Sequence, residues 1–284
     1  MNWLTYSISA TVFLGISMVF YKLPSHKNYS SFISTIVTNA ISGVIVFILL
    51  SITGNLGGIQ KISWYGLGWG ALFSISMVLY KKLLKGRDTG VIFPIVSSVG
   101  NTITVLVGII FLSETLSLVQ SLGIAVIVLS VFFFQRKEGK LTFNNEALWL
   151  AFGILTFSTT QKFVQKLGAT HDTVQEFMVY QYLGAAVFAF ILTILFERKS
   201  ITEFSGIKKY MKGALLISVF SVLGGYSILR ALALAPLSNV YAIHPMYTFV
   251  TAVLGVWIFK EKFTTRKVLL ILLSIAGVIL LRIG

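Results

Sequence analysis

The sequence predicts an all-α membrane protein of ten transmembrane helices, arranged as two inverted five-helix repeats around a central cavity. Three observations support this fold class: an apolar composition, ten apolar runs of membrane-spanning length, and an internal repeat. The 284 residues are 56% hydrophobic and 11% charged, with a mean hydropathy of +0.88. Soluble domains are about 45–50% apolar and about 25% charged. The excess predicts a chain whose outer surface faces lipid.

A membrane-crossing helix needs about 20 mostly apolar residues, and ten such runs follow one another along the chain. The predicted helices are Trp3–Tyr21, Phe32–Ile52, Trp64–Leu83, Val91–Leu112, Leu118–Phe134, Ala147–Val164, Val174–Phe196, Gly213–Leu234, Val240–Phe259 and Val268–Ile283. The connections between them are short, so no segment is long enough to form a separate soluble domain. Function is therefore expected to lie among the helices.

Two stretches of the chain align when the sequence is shifted by 147 residues. They are TVLVGIIFLSETLS, which begins at Thr104, and TAVLGVWIFKEKFT, which begins at Thr251. Each ends on a hydroxyl residue that suits a helix N-cap, Ser117 or Thr264, and Ser117 has capping-box spacing with Gln120. The alignment indicates an internal repeat.

The shift divides the ten helices into two repeats, residues 1–137 and 145–284. Because five is an odd number, the two repeats must enter the membrane from opposite faces. Inverted repeats of this kind are typical of secondary transporters, whose substrate sites lie between the halves near the middle of the membrane.

Small residues at helical spacing predict where helices pack together. Helix three contains Gly66 and Gly70, and helix four contains Thr104 and Gly108. In lipid, such small-xxx-small pairs let helix backbones approach closely. We interpret them as packing positions.

The basic residues predict an orientation. The chain has 23 Lys and Arg against nine Asp and Glu, and most of the basic residues fall in alternate connections, starting with the one after helix one. By the positive-inside rule this face is cytoplasmic, which places both termini outside. Because the charges flank apolar runs, lipid headgroups are the expected partner and nucleic acid is not.

The sequence lacks the patterns of common catalytic and metal centres. It has no cysteine, and His26, His171 and His244 have no metal-binding spacing. No catalytic residue, metal or cofactor is therefore predicted. The phosphate-binding pattern GxxxxGK[ST] has no match, so ATP hydrolysis within this chain is not expected to drive it.

Three fragments carry a resemblance to a known family. The turns GIIFLSE and GVWIFKE precede the last helix of each repeat, and Tyr226–Pro245 joins helices eight and nine. Together they resemble the drug/metabolite transporter superfamily, in its EamA-type branch. The resemblance implies ten helices around a cavity that opens alternately to each side of the membrane. It also implies substrates that range over amino acids, sugars, nucleotide sugars, drugs and amines.

Two features depart from the family pattern. The glycines usual in the last helix of each repeat occur once each, as Gly123 and Gly277, with Leu270 and Ser130 at the matching positions. Many relatives place both termini in the cytoplasm, opposite to the orientation that the charges predict here. The resemblance therefore leaves the orientation open.

Helix nine carries the first group of candidate substrate-binding residues. Pro245 removes a backbone donor, and polar residues beside a broken turn are common in transporter sites. At helical spacing, Tyr241, His244 and Thr248 share one face. They are predicted to line the cavity, with His244 as a candidate proton-binding group. The alternative is a neutral histidine bonded to a neighbouring helix.

Helices three and four supply a second group of candidates. Asn101 lies near the middle of helix four, Ser98 lies one turn earlier, and Trp69 lies deep in helix three. All three are predicted to face the cavity. An asparagine at that depth needs hydrogen-bond partners, so contact between helices is an equal alternative to substrate contact.

The third group is charged or lies beside a charge. Glu176 and Tyr180, four residues apart on helix seven, would suit a proton or a cationic solute; the alternative is a carboxylate at a helix N-terminus. Arg230, near the end of helix eight, would suit a carboxylate or phosphate. Its alternative is a side chain that reaches the headgroups.

The expected function is secondary active or facilitative transport, in the direction of export, of a small organic metabolite such as an amino acid or amine. We expect a multi-pass protein of the cell membrane, monomeric or homodimeric, with the solute, the lipid bilayer and, as a candidate coupling ion, protons as partners. It is not expected to be an enzyme. The alternative is an integral membrane enzyme or lipid-handling protein, which would need carboxylates or histidines converging near one interface.

Overall fold

The computed structural model describes residues 2–25, 31–84, 89–135, 145–198, 207–259 and 264–284, and these are almost wholly helical. The first half contains α1 (Trp3–Ser25), α2 (Ser31–Ile52), the 3₁₀ helix η1 (Asn55–Gly58), α3 (Trp64–Leu84), α4 (Thr89–Phe111) and α5 (Leu118–Gln135). The second half contains α6 (Asn145–His171), α7 (Val174–Phe196), α8 (Ile207–Leu234), α9 (Leu237–Ile243), the 3₁₀ helix η2 (His244–Met246), α10 (Tyr247–Phe259) and α11 (Thr265–Ile283).

Several helices have the length and apolar composition of membrane spans. Within the described ranges, five segments satisfy both conditions, in α1, α2, α7, α8 and the run from α9 to α10, and the apolar parts of α4 and α5 are shorter. Large hydrophobic side chains such as Phe111 and Leu195 are mostly exposed on the outside of the bundle. The all-α class predicted from the sequence is confirmed, and its apolar helices suit an integral membrane protein.

Each predicted apolar run coincides with helical structure, but some bounds differ from the prediction, and α8 begins about two turns early, at Ile207. The predicted end of helix six at Val164 is wrong, since α6 continues to His171. The additional turns are stabilised because Gln165 is buried against another helix and Lys166 bonds to the end of α8. Helix nine is interrupted, because η2 separates α9 from α10.

The α3 and α7 backbones approach closely at Gly66 and Gly70. A methyl group added at Gly70 would lie 2.6 Å from the carbonyl carbon of Gly184 and 2.9 Å from the carbonyl oxygen of Gln181. One added at Gly66 would lie 2.8 Å from the carbonyl oxygen of Phe177. The predicted packing role of this glycine pair is confirmed.

The helices that end each half, α5 and α11, cross where Gly123 meets Gly277. A methyl group added at Gly123 would lie 2.7 Å from the Gly277 carbonyl oxygen, and one added at Gly277 would lie 2.9 Å from the Gly123 carbonyl oxygen. The two glycines that the sequence retains therefore belong to one crossing.

The two predicted helix caps have different outcomes. Ser117 and Gln120 form the predicted capping box: the Gln120 amide donates to the Ser117 hydroxyl at 3.1 Å, and the Ser117 amide donates to the Gln120 side chain at 3.0 Å. Thr264 occupies the N-cap position of α11 with an extended backbone, but its side chain makes no capping bond. The predicted N-cap position of Thr264 is therefore confirmed, but its capping bond is not formed.

Candidate functional site

A cavity of about 250 Å³ lies between helices of the two halves. Its polar lining consists of Thr38, Asn39, Ser42, Gln161, Lys162, Gln165, Gln181, Ser221 and His244. Its aromatic lining consists of Trp69, Phe73, Tyr182, Tyr241 and Tyr247. The volume is below the ~300–1,000 Å³ of pockets that hold drug-sized ligands, so the cavity suits a small metabolite.

The interrupted ninth helix brings His244 to this cavity. Pro245 has no amide hydrogen to donate, and the backbone changes from α to 3₁₀ over His244–Met246. The rings of Tyr241 and Tyr247 both lie next to the His244 ring, each at 5.4 Å between centroids. The helix break thus builds an aromatic wall around an imidazole.

Lys162 is the charged residue of the cavity wall. Its ammonium donates to Asn101 Oδ1 at 2.8 Å and to Thr104 Oγ1 at 3.4 Å, which ties α6 in the second half to α4 in the first. It also lies over the ring of Tyr241, 5.3 Å from the centroid. Among the described residues that line the cavity there is no carboxylate.

Other polar atoms at the cavity are only partly satisfied. The Tyr241 hydroxyl donates to Gln165 Oε1 at 2.5 Å. Within the described part of the chain, Trp69 Nε1, Gln181 Oε1 and Ser42 Oγ are buried with no hydrogen-bond partner. Because buried polar groups are normally paired, these atoms are available for contacts with a bound solute.

Three of the nine predicted site residues line the cavity. They are Tyr241, His244 and Trp69, and Trp69 stacks on Phe73 with 5.2 Å between ring centroids. Thr248 does not join them: its hydroxyl donates to the Pro245 carbonyl at 3.0 Å. The 3₁₀ turn changes the direction about the helix axis in which the following residues point. As a result, Tyr247 lines the cavity in place of Thr248.

The two candidates on α4 lie elsewhere. Asn101 is buried and holds the ammonium of Lys162, so it supports the cavity wall without forming it. The side chain of Ser98 lies outside the described part of the structure.

The structure also places the three remaining candidates away from the cavity. The Glu176 carboxylate accepts from the backbone amides of Thr173 at 3.0 Å, Gln60 at 3.1 Å and Lys61 at 3.2 Å. The bond from Thr173 completes a capping box at the start of α7, and the other two tie the connection before α3 to it. A carboxylate with this many backbone donors is held at a helix N-terminus, which was the alternative interpretation of Glu176.

Tyr180 and Arg230 pack against neighbouring helices. Tyr180 packs close to α3, since a methyl group added at Gly66 would lie 3.0 Å from the Tyr180 Cβ. The Arg230 guanidinium lies over the Tyr6 ring, 5.8 Å from the centroid, and its Nε is buried without a partner within the described residues. Neither side chain lines the cavity.

One end of the bundle is closed by contacts that join the two halves. The connection before α3 meets the turn between α6 and α7: the Ser63 hydroxyl donates to Asp172 Oδ2 at 2.5 Å, and the Lys61 ammonium lies 3.5 Å from Asp172 Oδ1. The Thr173 hydroxyl donates to the Gly58 carbonyl at 2.9 Å. These bonds hold the first connection against the second.

A second pair of connections meets beside the first. Glu114, which follows α4, accepts from the backbone amides of Leu237 at 2.5 Å and Ser238 at 3.0 Å at the start of α9. The Lys166 ammonium donates to the carbonyls of Leu232 at 2.6 Å and Ala235 at 2.8 Å at the end of α8. A carboxylate at a helix start and an ammonium at a helix end both complement the helix dipole.

A larger groove of about 460 Å³ lies at the surface between α1, α10 and α11. Its lining is hydrophobic apart from Thr11, whose hydroxyl donates to the Ser7 carbonyl within its own helix at 2.9 Å. Such a surface suits lipid chains and has no group that would select a polar solute. The smaller polar cavity is therefore the candidate site.

Sequence reasoning missed Lys162 and the amides of Gln161 and Gln165. The signal was present, because Ser158, Gln161, Lys162 and Gln165 follow the spacing i, i+3, i+4 and i+7 that marks one helix face. Ending helix six at Val164 left Lys162 near a predicted helix end, where a lysine is expected to contact headgroups.

Comparisons with known proteins agree with this architecture. The sequence profile of the EamA-like transporter family matches residues 144–283. An uncharacterized protein of Methanocaldococcus jannaschii is 35% identical over 122 residues, which cover 42% of this chain and 86% of that protein. A crystal structure, described only as that of a protein, is similar in fold with a TM-score of 0.78 at 13% identity, over 98% of this chain and 96% of that one.

The fold and its apolar helices define a polytopic membrane protein, and the family match indicates a membrane transporter. The chain belongs to the EamA-like transporter family, within the drug/metabolite transporter superfamily. The resemblance predicted from the two turns and the Tyr226–Pro245 passage is therefore confirmed.

Proposed function

We propose that this chain moves a small organic metabolite, such as an amino acid or amine, across the cell membrane by alternating access. The observation that carries the proposal is the cavity of about 250 Å³, which lies among helices with apolar outer faces and is lined by both polar and aromatic side chains. Polar and ionisable groups inside a membrane bundle are costly, and they commonly mark a substrate pathway.

The pairing of helices supports an arrangement as two inverted five-helix repeats, residues 1–137 and 145–284. If α1 to α3 are exchanged with α6 to α8, the packing of α1 on α8 becomes that of α6 on α3, and α2 on α8 becomes α7 on α3. Both members of each pair occur. With α4 exchanged for α9 and α5 for α11, three further contacts, α2 with α7, α4 with α9 and α5 with α11, are each converted into themselves.

The closed end of the bundle supports a gating role for the contacts that join the halves. Glu114 and Ser63 belong to the first repeat, whereas Ser238 and Asp172 belong to the second. A rocking motion of one repeat against the other would break these bonds and open this end. The positive-inside rule makes this the external face, so the structure would represent a state closed to the outside.

The proposal also includes the direction of transport and its coupling to an ion. Export and a secondary active or facilitative mechanism are proposed, with His244 as the candidate proton site because it lines the cavity. The proposed unit is a monomer or homodimer in the cell membrane.

Counterflow in proteoliposomes tests the proposal. Purified protein is reconstituted into liposomes loaded with unlabelled amino acids, amines or nucleosides, and uptake of the same labelled solute is followed with and without an imposed pH gradient. Protein-dependent uptake of one class is expected, with protein-free liposomes as the control. If no solute class is taken up, either with or without the pH gradient, transport as the function is refuted.

A further inference from the structure

We propose that Lys162 binds the carboxylate of the transported solute, so that the cavity takes a small amino acid or another monocarboxylate in preference to a simple amine. The inference rests on the proposed transport function and adds the chemical class of the solute. It is carried by the placement of one lysine ammonium, its neutral partners and the remaining polar atoms of the cavity.

The positive charge of Lys162 is not balanced by its partners in the cavity wall. Lys162 is part of the wall, and its oxygen partners, Asn101 and Thr104, are both neutral. No carboxylate lines the cavity among the residues that the structure describes. An ammonium inside a membrane bundle without an opposite charge is unfavourable, and a solute carboxylate would supply that charge.

The contacts to α4 also orient the ammonium of Lys162. Thr104 donates its own hydroxyl hydrogen to the Gly100 carbonyl at 2.7 Å, so that towards Lys162 it can only accept. An ammonium has three hydrogens, and the α4 side of Lys162 accounts for two of them. Among the described residues, no hydrogen-bond acceptor takes the third, which can therefore reach a group in the cavity, and the contacts to α4 hold Lys162 in place without neutralising it.

The rest of the cavity offers groups that suit the amine of an amino acid. Gln181 Oε1 is a buried acceptor without a partner in the described part of the chain, and it suits the ammonium of a zwitterion. The ring of Tyr247 also lines the cavity, and an aromatic face favours a nearby cation. One ammonium together with these groups complements a carboxylate and an amine on the same small molecule.

The charge of the solute separates a carboxylate from other anions. A monocarboxylate carries the single negative charge that Lys162 balances, whereas a phosphate ester carries between one and two at neutral pH. A dianion would also need a proton on His244, the other base among the described lining residues. A phosphate ester is therefore an alternative outcome of the test.

The charges first considered for solute binding do not compete for this role. Glu176 accepts three backbone amides at the start of α7, and Arg230 lies over Tyr6 outside the cavity wall. Within the described structure, Lys162 is thus the charge that a solute in the cavity would meet.

The test compares matched solutes that differ at the carboxyl group. Counterflow is measured in proteoliposomes for leucine and phenylalanine, for their amides, for the amines that lack the carboxyl group, and for phenyl phosphate. The variants are wild type, Lys162→Gln and the control Lys82→Gln, which removes an exposed lysine of α3 that lies over the Phe196 ring.

Wild type and Lys82→Gln are expected to prefer each amino acid over its amide and amine by about tenfold or more, as for one charge-assisted hydrogen bond. Lys162→Gln keeps a donor for Asn101, and its preference should fall to within about twofold, because the charge is gone. A purely structural role for Lys162 would lower the rates for all solutes equally and leave the preference intact.

The outcomes distinguish this inference from the proposed function. Transport that favours amines, amides or phenyl phosphate over the carboxylates, or a preference that survives in Lys162→Gln, overturns the carboxylate site while transport stands. No transport of any of these solutes, or of nucleosides, overturns the proposed function together with the site. If Lys162→Gln does not fold, Lys162→Arg replaces it: retained preference supports the inference, and lost preference despite the charge overturns it.

Discussion

Replacing Gly70 with alanine tests whether the close approach of α3 and α7 holds the bundle together. The added methyl group would lie 2.6 Å from the Gly184 carbonyl carbon and 2.9 Å from the Gln181 carbonyl oxygen, and it would also press on the Ala185 amide nitrogen. All three neighbours are backbone atoms, so no flexible side chain can move aside. The two helices must separate.

Gly68→Ala is a matched control in the same helix. A methyl group there would lie 3.9 Å from the nearest atom, a Val164 methyl carbon, which is ordinary van der Waals contact. Both substitutions gain about 0.8–1.0 kcal/mol of helix propensity, and this gain cancels in the comparison. What remains is the overpacking at Gly70, typically about 1–3 kcal/mol, and the backbone neighbours place it near the upper end.

The expected difference in the free energy of unfolding between the two variants is therefore about 3 kcal/mol. On the scaling for domains of 150–250 residues, this corresponds to roughly 6–12 °C in the melting temperature. Thermal unfolding of both detergent-purified variants, followed by size-exclusion chromatography after heating, measures the difference. Because Trp69 and Gln181 line the cavity, Gly70→Ala should also slow transport. Equal melting temperatures for Gly70→Ala and Gly68→Ala would refute the close-approach argument.

Three further predictions concern polar groups. Glu114→Gln weakens two charge-assisted bonds to the start of α9 and should lower the melting temperature and alter counterflow rates, whereas Glu146→Gln, an exposed acid at the start of α6, should change neither. Thr173→Ala removes the hydroxyl of the α7 capping box and should cost about 1 kcal/mol in thermal unfolding, and an unchanged melting temperature would contradict that cap. Tyr241→Phe leaves Gln165 without its donor and should cost about 1–3 kcal/mol; full stability would show that the bond contributes nothing.

Features that depend on neighbours in sequence were predictable. Apolar run length located the helices, small-residue spacing located the contact at Gly66 and Gly70, and the Ser117–Gln120 spacing located a capping box. The proline of helix nine marked the place where the backbone changes from α to 3₁₀. Each of these follows from local chemistry that the rest of the fold does not change.

The candidate site was only partly predictable. Tyr241, His244 and Trp69 reach the cavity, but Lys162 was missed and Glu176 binds backbone amides instead of facing the cavity. A polar residue in an apolar run indicates a buried or functional position, but the run does not say which helix it faces. That depends on the rotation of each helix about its axis and on which helices are neighbours.

The sequence by itself determined that this is an all-helical membrane chain of the EamA-like family, because apolar length and short motifs are properties of consecutive residues. Only the tertiary structure decided which polar groups the charged side chains meet. Lys162 and Asn101 are 61 residues apart in sequence, and Glu114 and Leu237 are 123 apart. Such pairs arise from packing one half of the chain against the other. In lipid, the cost of leaving these groups unpaired makes that packing specific.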